Sequence, residues 1–332
     1  MRVRHVVFSD QPLAAELDGV EVVTLSPEYE RRGVPRRLAI VDALRDANAR
    51  VYIQRSAGFG TGVVGLFARL SGRRFVFSSS SEADFRLDHE TAVSAGASLH
   101  EWPTRAQYRL GLRLATAIVV QTNAQRELAR TKLGREAIVL PSFCAPAEVS
   151  ELPHAAVFLW VGSLVAIKNP LAYVRLASSV PEARFWMIGT DRGGRWRDLA
   201  AQVRAEASRV PNLELLAPRP RDELLELYGQ VTAVVNTSRL EGFPNSFLEA
   251  WARATPALSL SVDPDGVIAE HGLGLVAGGS AERLGAEVRA YRRDPDAARA
   301  AGVRARAYVK KVHDPAVVGE RWAALVASLL RT

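Results

Sequence analysis

Short apolar runs alternate with stretches of helical period along this chain, and that alternation limits its fold more than any other feature. The runs that read as strands are His5–Ser9, Val20–Leu25, Val51–Gln54, Arg74–Ser78, Ala117–Gln121, Ala137–Leu140, Val157–Val161, Arg184–Ile188, Leu213–Leu216, Ala233–Asn236 and Ala257–Leu260. Many are unbroken Val, Ile, Phe and Leu. Strands buried on both faces have that composition, as in parallel sheets covered by helices. Helical segments fall between them at Gly62–Leu70, Pro170–Ser178, Asp198–Ser208, Asp222–Tyr228 and Phe247–Ala254. This order predicts doubly wound α/β layers.

At 332 residues there is room for two such units. Pro141–Pro153 holds three prolines and no periodicity, which marks a boundary. The expected organisation is a first domain over 1–148, a second over 153–312, and a C-terminal helix over 313–332. That helix carries Val317, Val318, Trp322, Leu325, Val326 and Leu329 on one face and is expected to pack back toward the first domain. Two such domains facing each other make a cleft, and ligands bind at the carboxyl ends of the strands.

The segment Ala233–Pro256 carries the most chemistry. A strand ends at Asn236–Ser238, a loop with Gly242 and Pro244 follows, and a helix starts at about Ser246 and stops before Pro256. A helix start with a glycine in its lead-in suits an anion such as a diphosphate. Glu241 cannot bind an anion, so it is expected to accept hydrogen bonds from hydroxyls. Two readings stand for Glu249. It can close a capping box with Ser246, or it can contact a ribose.

The Glu-x7-Glu spacing of Glu241 and Glu249, the Glu-Gly-Phe-Pro-Asn core and the Glu-Ala-x-Ala-x-x-Thr-Pro ending resemble the retaining glycosyltransferases of family 4. The resemblance runs over 155–330, including Trp160-Val-Gly-Ser-Leu-Val-Ala-Ile-Lys-Asn-Pro170 and Phe185-Trp-Met-Ile-Gly189, and more weakly over 48–140. It implies the GT-B fold, two Rossmann-like doubly wound domains facing across a cleft, and a nucleotide-diphosphate sugar, UDP- or GDP-linked, as donor. It implies that Glu241 contacts the transferred sugar, that Glu249 meets the ribose, and that Lys168 supplies a cation to the diphosphate, with no metal and no cofactor. The family's arginine in the Gly-Arg-Leu…Lys element is Ser163 here, after Gly162. Gly242, Phe243, Pro244, Asn245 and Ser246 complete the donor loop. Gly189 and Arg219 are assigned to the donor by their position at strand ends. Arg55, Gly58, Gly60 and His100 are assigned to the acceptor side, where a glycan or lipid-linked acceptor would bind.

Two other patterns compete with this reading. Asp263-Pro-Asp265 matches a metal-binding Asp-x-Asp but is also turn chemistry. Gly60-Thr-Gly62-Val-Val-Gly65 is a literal dinucleotide fingerprint, with Glu82 and Asp84 downstream, and sustains an NAD(P)-dependent alternative. The first domain reads as shortened, since His5–Ser9 leads to Val20 with no Gly-rich loop. That shortening, with Ser163, leaves open a second alternative, a sugar-nucleotide-binding partner that has lost transfer. His89 and His100 read as surface or structural residues, although His100 lies on the acceptor side.

Composition narrows the partners. The net charge is +7, with 39 arginines and 4 lysines, but it is spread evenly, 20 basic against 16 acidic residues up to position 150 and 23 against 20 beyond. No basic stripe forms, so nucleic acid is not an expected partner. Scattered arginine suits a peripheral contact with an anionic membrane better. One cysteine, Cys144, and the lack of any run near 20 apolar residues give the expectation of a soluble cytoplasmic protein.

Overall fold

The computed structural model describes residues 4–8, 16–17, 20–25, 36–58, 60–85, 102–145, 147 and 155–331. In the first domain, β1 (Arg4–Phe8), β2 (Glu16–Leu17) and β3 (Val20–Leu25) form a small sheet in the order β1-β3-β2. After α1 (Arg36–Ala47), the chain alternates β4 (Val51–Arg55), α2 (Thr61–Leu70), β5 (Arg74–Ser78), α3 (Trp102–Leu114), β6 (Ala117–Val120), α4 (Asn123–Leu133) and β7 (Ile138–Val139). These four strands make a separate sheet in the order β4-β5-β6-β7, all parallel.

The second domain runs β8 (Ala155–Ser163), α5 (Pro170–Ser179), β9 (Arg184–Thr190), α6 (Arg197–Ala207), β10 (Leu213–Leu216), α7 (Arg221–Tyr228), β11 (Val231–Asn236) and α8 (Asn245–Trp251). It continues through β12 (Ala257–Ser259), α9 (Val267–His271), β13 (Gly274–Val276), α10 (Ala281–Arg293) and α11 (Pro295–Val312), before α12 (Pro315–Arg331). The sheet order is β10-β9-β8-β11-β12-β13, parallel throughout. That is a doubly wound order, and it reverses direction between β8 and β11. The loops after those two strands therefore flank the crevice where such sheets bind ligands.

Packing explains the unbroken apolar runs. Along β8, Phe158 and Trp160 join one core with Tyr173, Phe185 and Met187, while Val157 and Leu159 join another with Phe247 and Trp251. Both faces of β5 are covered as well. Phe75 and Phe77 pack with Leu112 and Ile118, whereas Val76 meets Leu325 of α12, beside Trp322 and Leu329. Arg321 Nη2 donates to the Val139 carbonyl at 2.8 Å, and Arg50 Nη2 to the Leu330 carbonyl at 3.1 Å, so α12 lies against the first domain's four-stranded sheet. The chain crosses between the domains twice, after β7 and again at His313–Asp314.

The expected elements shift by a few residues at most. The segment expected as helix at Phe247–Ala254 is α8, Asn245–Trp251, and the positive φ of Ala254 ends it early. β2 and β13 escaped the pattern because they are only two and three residues long.

Candidate active site

Lys168 and Glu241 come together across the β8/β11 switch point. The end of β8 leads into a short 3₁₀ turn, Ala166–Lys168. Two contacts fasten that turn to the loop after β11. Arg239 N donates to the Ile167 carbonyl at 2.8 Å. The buried Thr237 hydroxyl faces the carbonyls of Lys168 and Asn169, each at 3.0 Å, and accepts from Trp160 Nε1 at 3.0 Å. Lys168 Nζ then reaches Glu241 Oε1 at 2.5 Å, with the Glu241 side chain only 12% exposed. A charge-assisted bond of this length in a largely enclosed site fixes both groups.

The donor loop meets the first domain directly. A Cβ on Gly242 would run into the Ser80 carbonyl and the Gln121 and Gln125 amides. Only glycine admits that approach. Glu82 N donates to the Glu241 carbonyl at 3.4 Å. With its amide turned to suit its neighbours, Gln121 donates to the Ser80 carbonyl at 2.9 Å and accepts from Arg55 Nη2 at 3.1 Å and from Ser142 Oγ. Arg55 thus stands on the first-domain wall of the cleft, and desolvation pulls its pKa down against the field of Asp84.

Glu249 does not cap its helix. The helix starts at Asn245 with Pro244 at the cap position and no side-chain cap, so Ser246 falls two positions too late for a capping box with Glu249. Glu249 instead pairs with Arg221 Nη2 at 2.9 Å and accepts from the Tyr228 hydroxyl. Burial raises its pKa, with Arg221 and Arg253 opposing. Phe243 and Pro244 are buried behind the loop, and Asn245 is exposed.

Several expected donor residues have packing explanations. A Cβ at Gly162 would lie 3.0 Å from the Trp160 ring, and one at Gly189 would lie 2.7 Å from Leu164. Ser163 ends β8 beside Thr190 of β9. Arg219 is exposed and sits 3.6 Å from Glu223, making no contact with the Lys168–Glu241 pair.

The Gly60–Gly65 fingerprint is likewise a packing feature. A Cβ on Gly62 would meet the Gln107 carbonyl at 2.5 Å, and one on Gly65 would meet Gly111 Cα at 3.0 Å. These glycines let α2 lie against the backbone of α3 and present no cradle for a pyrophosphate. Gly58 and Gly60 are tied into the same turn, since Thr61 Oγ1 donates to the Gly58 carbonyl at 2.9 Å and Gly60 abuts Ile40. Asp84, one of the two downstream acids of the fingerprint, is consumed. It accepts from Ser79 Oγ (2.9 Å) and from the backbone N–H groups of Ser80 (2.8 Å), Ser81 (3.3 Å) and Ala57 (3.3 Å). His89 and His100 lie outside the described residues.

Asp263 and Asp265 are both spent on helix starts. Asp263 caps α9 through the N–H of Ile268 at 2.8 Å. Asp265 reaches across to the first domain and accepts from Asn123 N (2.7 Å), Asn123 Nδ2 (3.0 Å) and Ala124 N (3.0 Å) at the start of α4. Among the described residues no group of three or more His, Cys, Asp and Glu is placed to hold a metal ion, and no helix is long and apolar enough to cross a membrane.

Two facing Rossmann-like domains with a polar site at the switch point of the second define the GT-B fold. Residues 155–294 match the family model described as Glycosyl transferases group 1, and so the second domain is recognised by sequence as well as by shape. Solved structures agree on the fold. A structure of Anabaena HepE in complex with UDP and glucose superposes with a TM-score of 0.78 at 14% identity, covering 99% of this chain and 100% of that one. Sucrose-phosphate synthase from Thermosynechococcus elongatus gives 0.76 at 14% identity, over 98% and 89%. A mutant of S. aureus TarM in complex with fondaparinux, α-GlcNAc-glycerol and UDP gives 0.71 at 15% identity, over 87% of this chain. The chain spans 58% of the length of that TarM structure. A search of curated proteins gave no match. The chain thus has the GT-B fold, and its second domain is similar to those of the group 1 glycosyl transferases.

Sequence reasoning missed Thr237, Trp160, Gln121, Gln125 and His313. Trp160 opens a stretch that carries the resemblance, but no motif or spacing assigns a role to any of the five. Each acts through a contact made only once distant loops meet.

Proposed function

We propose that this chain is a retaining, metal-independent hexosyltransferase of family 4, moving a sugar from a UDP- or GDP-linked donor to a hydroxyl of a glycan or lipid-linked acceptor in polysaccharide biosynthesis. The observation that carries this reading is the Lys168–Glu241 pair at the switch point. Breaking a glycosyl–phosphate bond builds negative charge on the departing diphosphate and positive charge on the ring. A fixed cation should meet the first, and a carboxylate with hydroxyl contacts should hold the second. Because the two groups bond to each other, donor binding is an exchange. The diphosphate takes Lys168, and sugar hydroxyls donate to Glu241, so neither charge is left uncompensated.

Glu249, largely enclosed and steadied by Arg221 and Tyr228, is the ribose contact. Retention of configuration is taken from the family resemblance. HepE and TarM structures that contain UDP favour uridine over guanosine as the base. The acceptor enters on the first-domain side, beside Arg55. The setting is cytoplasmic, against an anionic membrane where the acceptor is lipid-linked.

The test is donor turnover with UDP- and GDP-sugars in Glu241→Ala and Lys168→Ala variants that remain folded. Each is expected to lose roughly 10²–10³-fold in kcat. Turnover like that of the natural protein in both would sink the assignment. Nucleotide binding with background turnover for every acceptor would instead indicate a binding partner that has lost transfer. Proton NMR of the product anomer tests retention, and insensitivity to EDTA tests metal independence.

A further inference from the structure

His313 lies where the two inter-domain crossings meet. It ends α11, one residue before Asp314 and the start of α12, and its side chain is almost wholly enclosed at 1% exposure. Its backbone carbonyl accepts from Cys144 N at 2.9 Å, and its ring Nδ1 lies 2.6 Å from the Ser142 carbonyl. A carbonyl can only accept, so Nδ1 carries the proton and the neutral ring has a bare Nε2. That Nε2 is buried without a hydrogen-bond partner. One residue therefore ties the second crossing to two positions of the first.

The same ring faces the donor loop. Its centroid is 4.8 Å from that of Phe243 and 5.5 Å from that of Tyr308, and Phe243 in turn meets Trp251 of α8 edge-on at 6.0 Å. Phe243 directly follows Gly242, which seats the loop on the first domain, and Glu241. On the other side, the Ser142 hydroxyl meets Gln121 and Arg55 of the first-domain wall. His313 is thus joined to both halves of the cleft through one neighbour each.

We propose that His313 is a positioning residue that couples the relative setting of the two domains to the placement of Glu241 through Phe243. The inference rests on the donor reading of the 241–249 loop. If the domains move apart, Ser142 and Cys144 shift, the ring follows, and Phe243 loses its backing. The donor loop is then held in its working position only when the crossings are correctly set.

The test is a double-mutant cycle on the full chain with His313→Asn, Phe243→Leu and the pair. Asn keeps a donor for the Ser142 carbonyl but removes the ring. The readouts are UDP dissociation constant, the KM and kcat of donor turnover, and solution scattering with and without UDP. His313→Asn is expected to raise the UDP Kd about tenfold and to lower kcat/KM about 100-fold, as small misplacements of a reacting group do. The double variant should lose no more than the worse single variant. Multiplying losses, or a UDP Kd and scattering change like those of the natural protein alongside a lowered Tm, would overturn the coupling and leave a merely structural histidine. His313→Phe, which keeps a ring and loses the Ser142 bond, should keep UDP affinity within about threefold while losing the UDP-induced scattering change. Retention of that change would overturn the proposal too. Failure of the natural protein to bind any nucleotide would instead refute the donor reading itself.

Discussion

Two strand–loop–helix crossings in this molecule look alike on paper and do opposite things. From the end of β4 into α2 the chain runs through Gly58, Gly60, Gly62 and Gly65. Between β11 and α8 it runs through Gly242 and Pro244. In the first crossing the neighbouring helix α3 fills the space the glycines leave, and Gly111 faces Thr61 and Gly62 in return. In the second the glycine admits the other domain, and the loop holds Glu241 against Lys168. A glycine pattern reports close approach. Which group approaches, a helix backbone or a ligand wall, is decided by the topology around it.

The sharpest way to break that contrast is to add side chains to both crossings. Gly242→Val would push the donor loop off Ser80, Gln121 and Gln125. Donor kcat/KM should fall by about 100-fold, because the reacting groups lose their setting, while the melting temperature moves little. Steady-state kinetics with a UDP-sugar reads the outcome, and unchanged kcat/KM would show that the first-domain contact is dispensable. Gly111→Ala should behave in reverse. Its methyl would press on the Thr61 carbonyl, and overpacking of this kind costs about 1–3 kcal/mol or more, a drop of several degrees in a thermal melt. UDP affinity should stay as it is. A loss of affinity without a loss of stability would make the first crossing a ligand loop after all.

The same contrast governs what could be read from sequence. The second domain was legible because each of its long strands carries a continuous apolar run, and because its site residues sit at fixed spacings on two adjoining loops. Glu241 and Lys168 could be named as partners to one chemistry before their contact was known. The first domain was harder. Its strands split into two sheets, which alternation alone does not foretell, and its contribution to the cleft comes from Ser80, Gln121, Gln125 and Ser142, polar residues in no motif. Glu249 shows a further limit. A Ser-x-x-Glu spacing fits a capping box, but Pro244 takes the cap position, which moves the register by more than one residue and frees the carboxylate for Arg221 and Tyr228.

The buried histidine gives an effect of comparable size, read through pH. Burial lowers the His313 pKa from 6.5 to about 4, although the bond to the Ser142 carbonyl opposes the shift. Two neighbouring titratable groups, Tyr308 and Cys144, add no negative charge. The Tyr308 phenol is pushed up to about 12 and the Cys144 thiol is raised above its usual range, so both are neutral. The folded protein therefore resists the proton that the unfolded chain accepts below about pH 6.5. Stability is full above that value and falls as the pH drops toward 4, with a limiting loss of roughly 3 kcal/mol. Urea melts at pH 7.5 and pH 4.5 should show a steeper acid loss for the natural protein than for His313→Phe. Parallel pH dependence in the two would place the acid-sensitive group elsewhere.

Asp265 should give the smallest effect, and it probes the contrast from outside both crossings. Its carboxylate comes from the second domain yet caps α4 of the first, a helix whose own Thr122 already accepts from Gln125 N. An N-cap carboxylate contributes about 1 kcal/mol, and here that energy acts between domains rather than within one. Asp265 sits at φ 52°, where aspartate and asparagine are tolerated better than most side chains. Asp265→Asn should therefore keep the backbone and part of the cap, whereas Asp265→Gly keeps the backbone and loses the cap entirely. Amide exchange at Asn123 and Ala124 should quicken about fivefold in the glycine variant, the factor corresponding to roughly 1 kcal/mol, and by less in the asparagine variant. Exchange at Gln125 should change less, because Thr122 still serves it. If all three amides quicken together, α4 is losing its start as a unit, and the carboxylate matters more to that helix than to the joint between the domains.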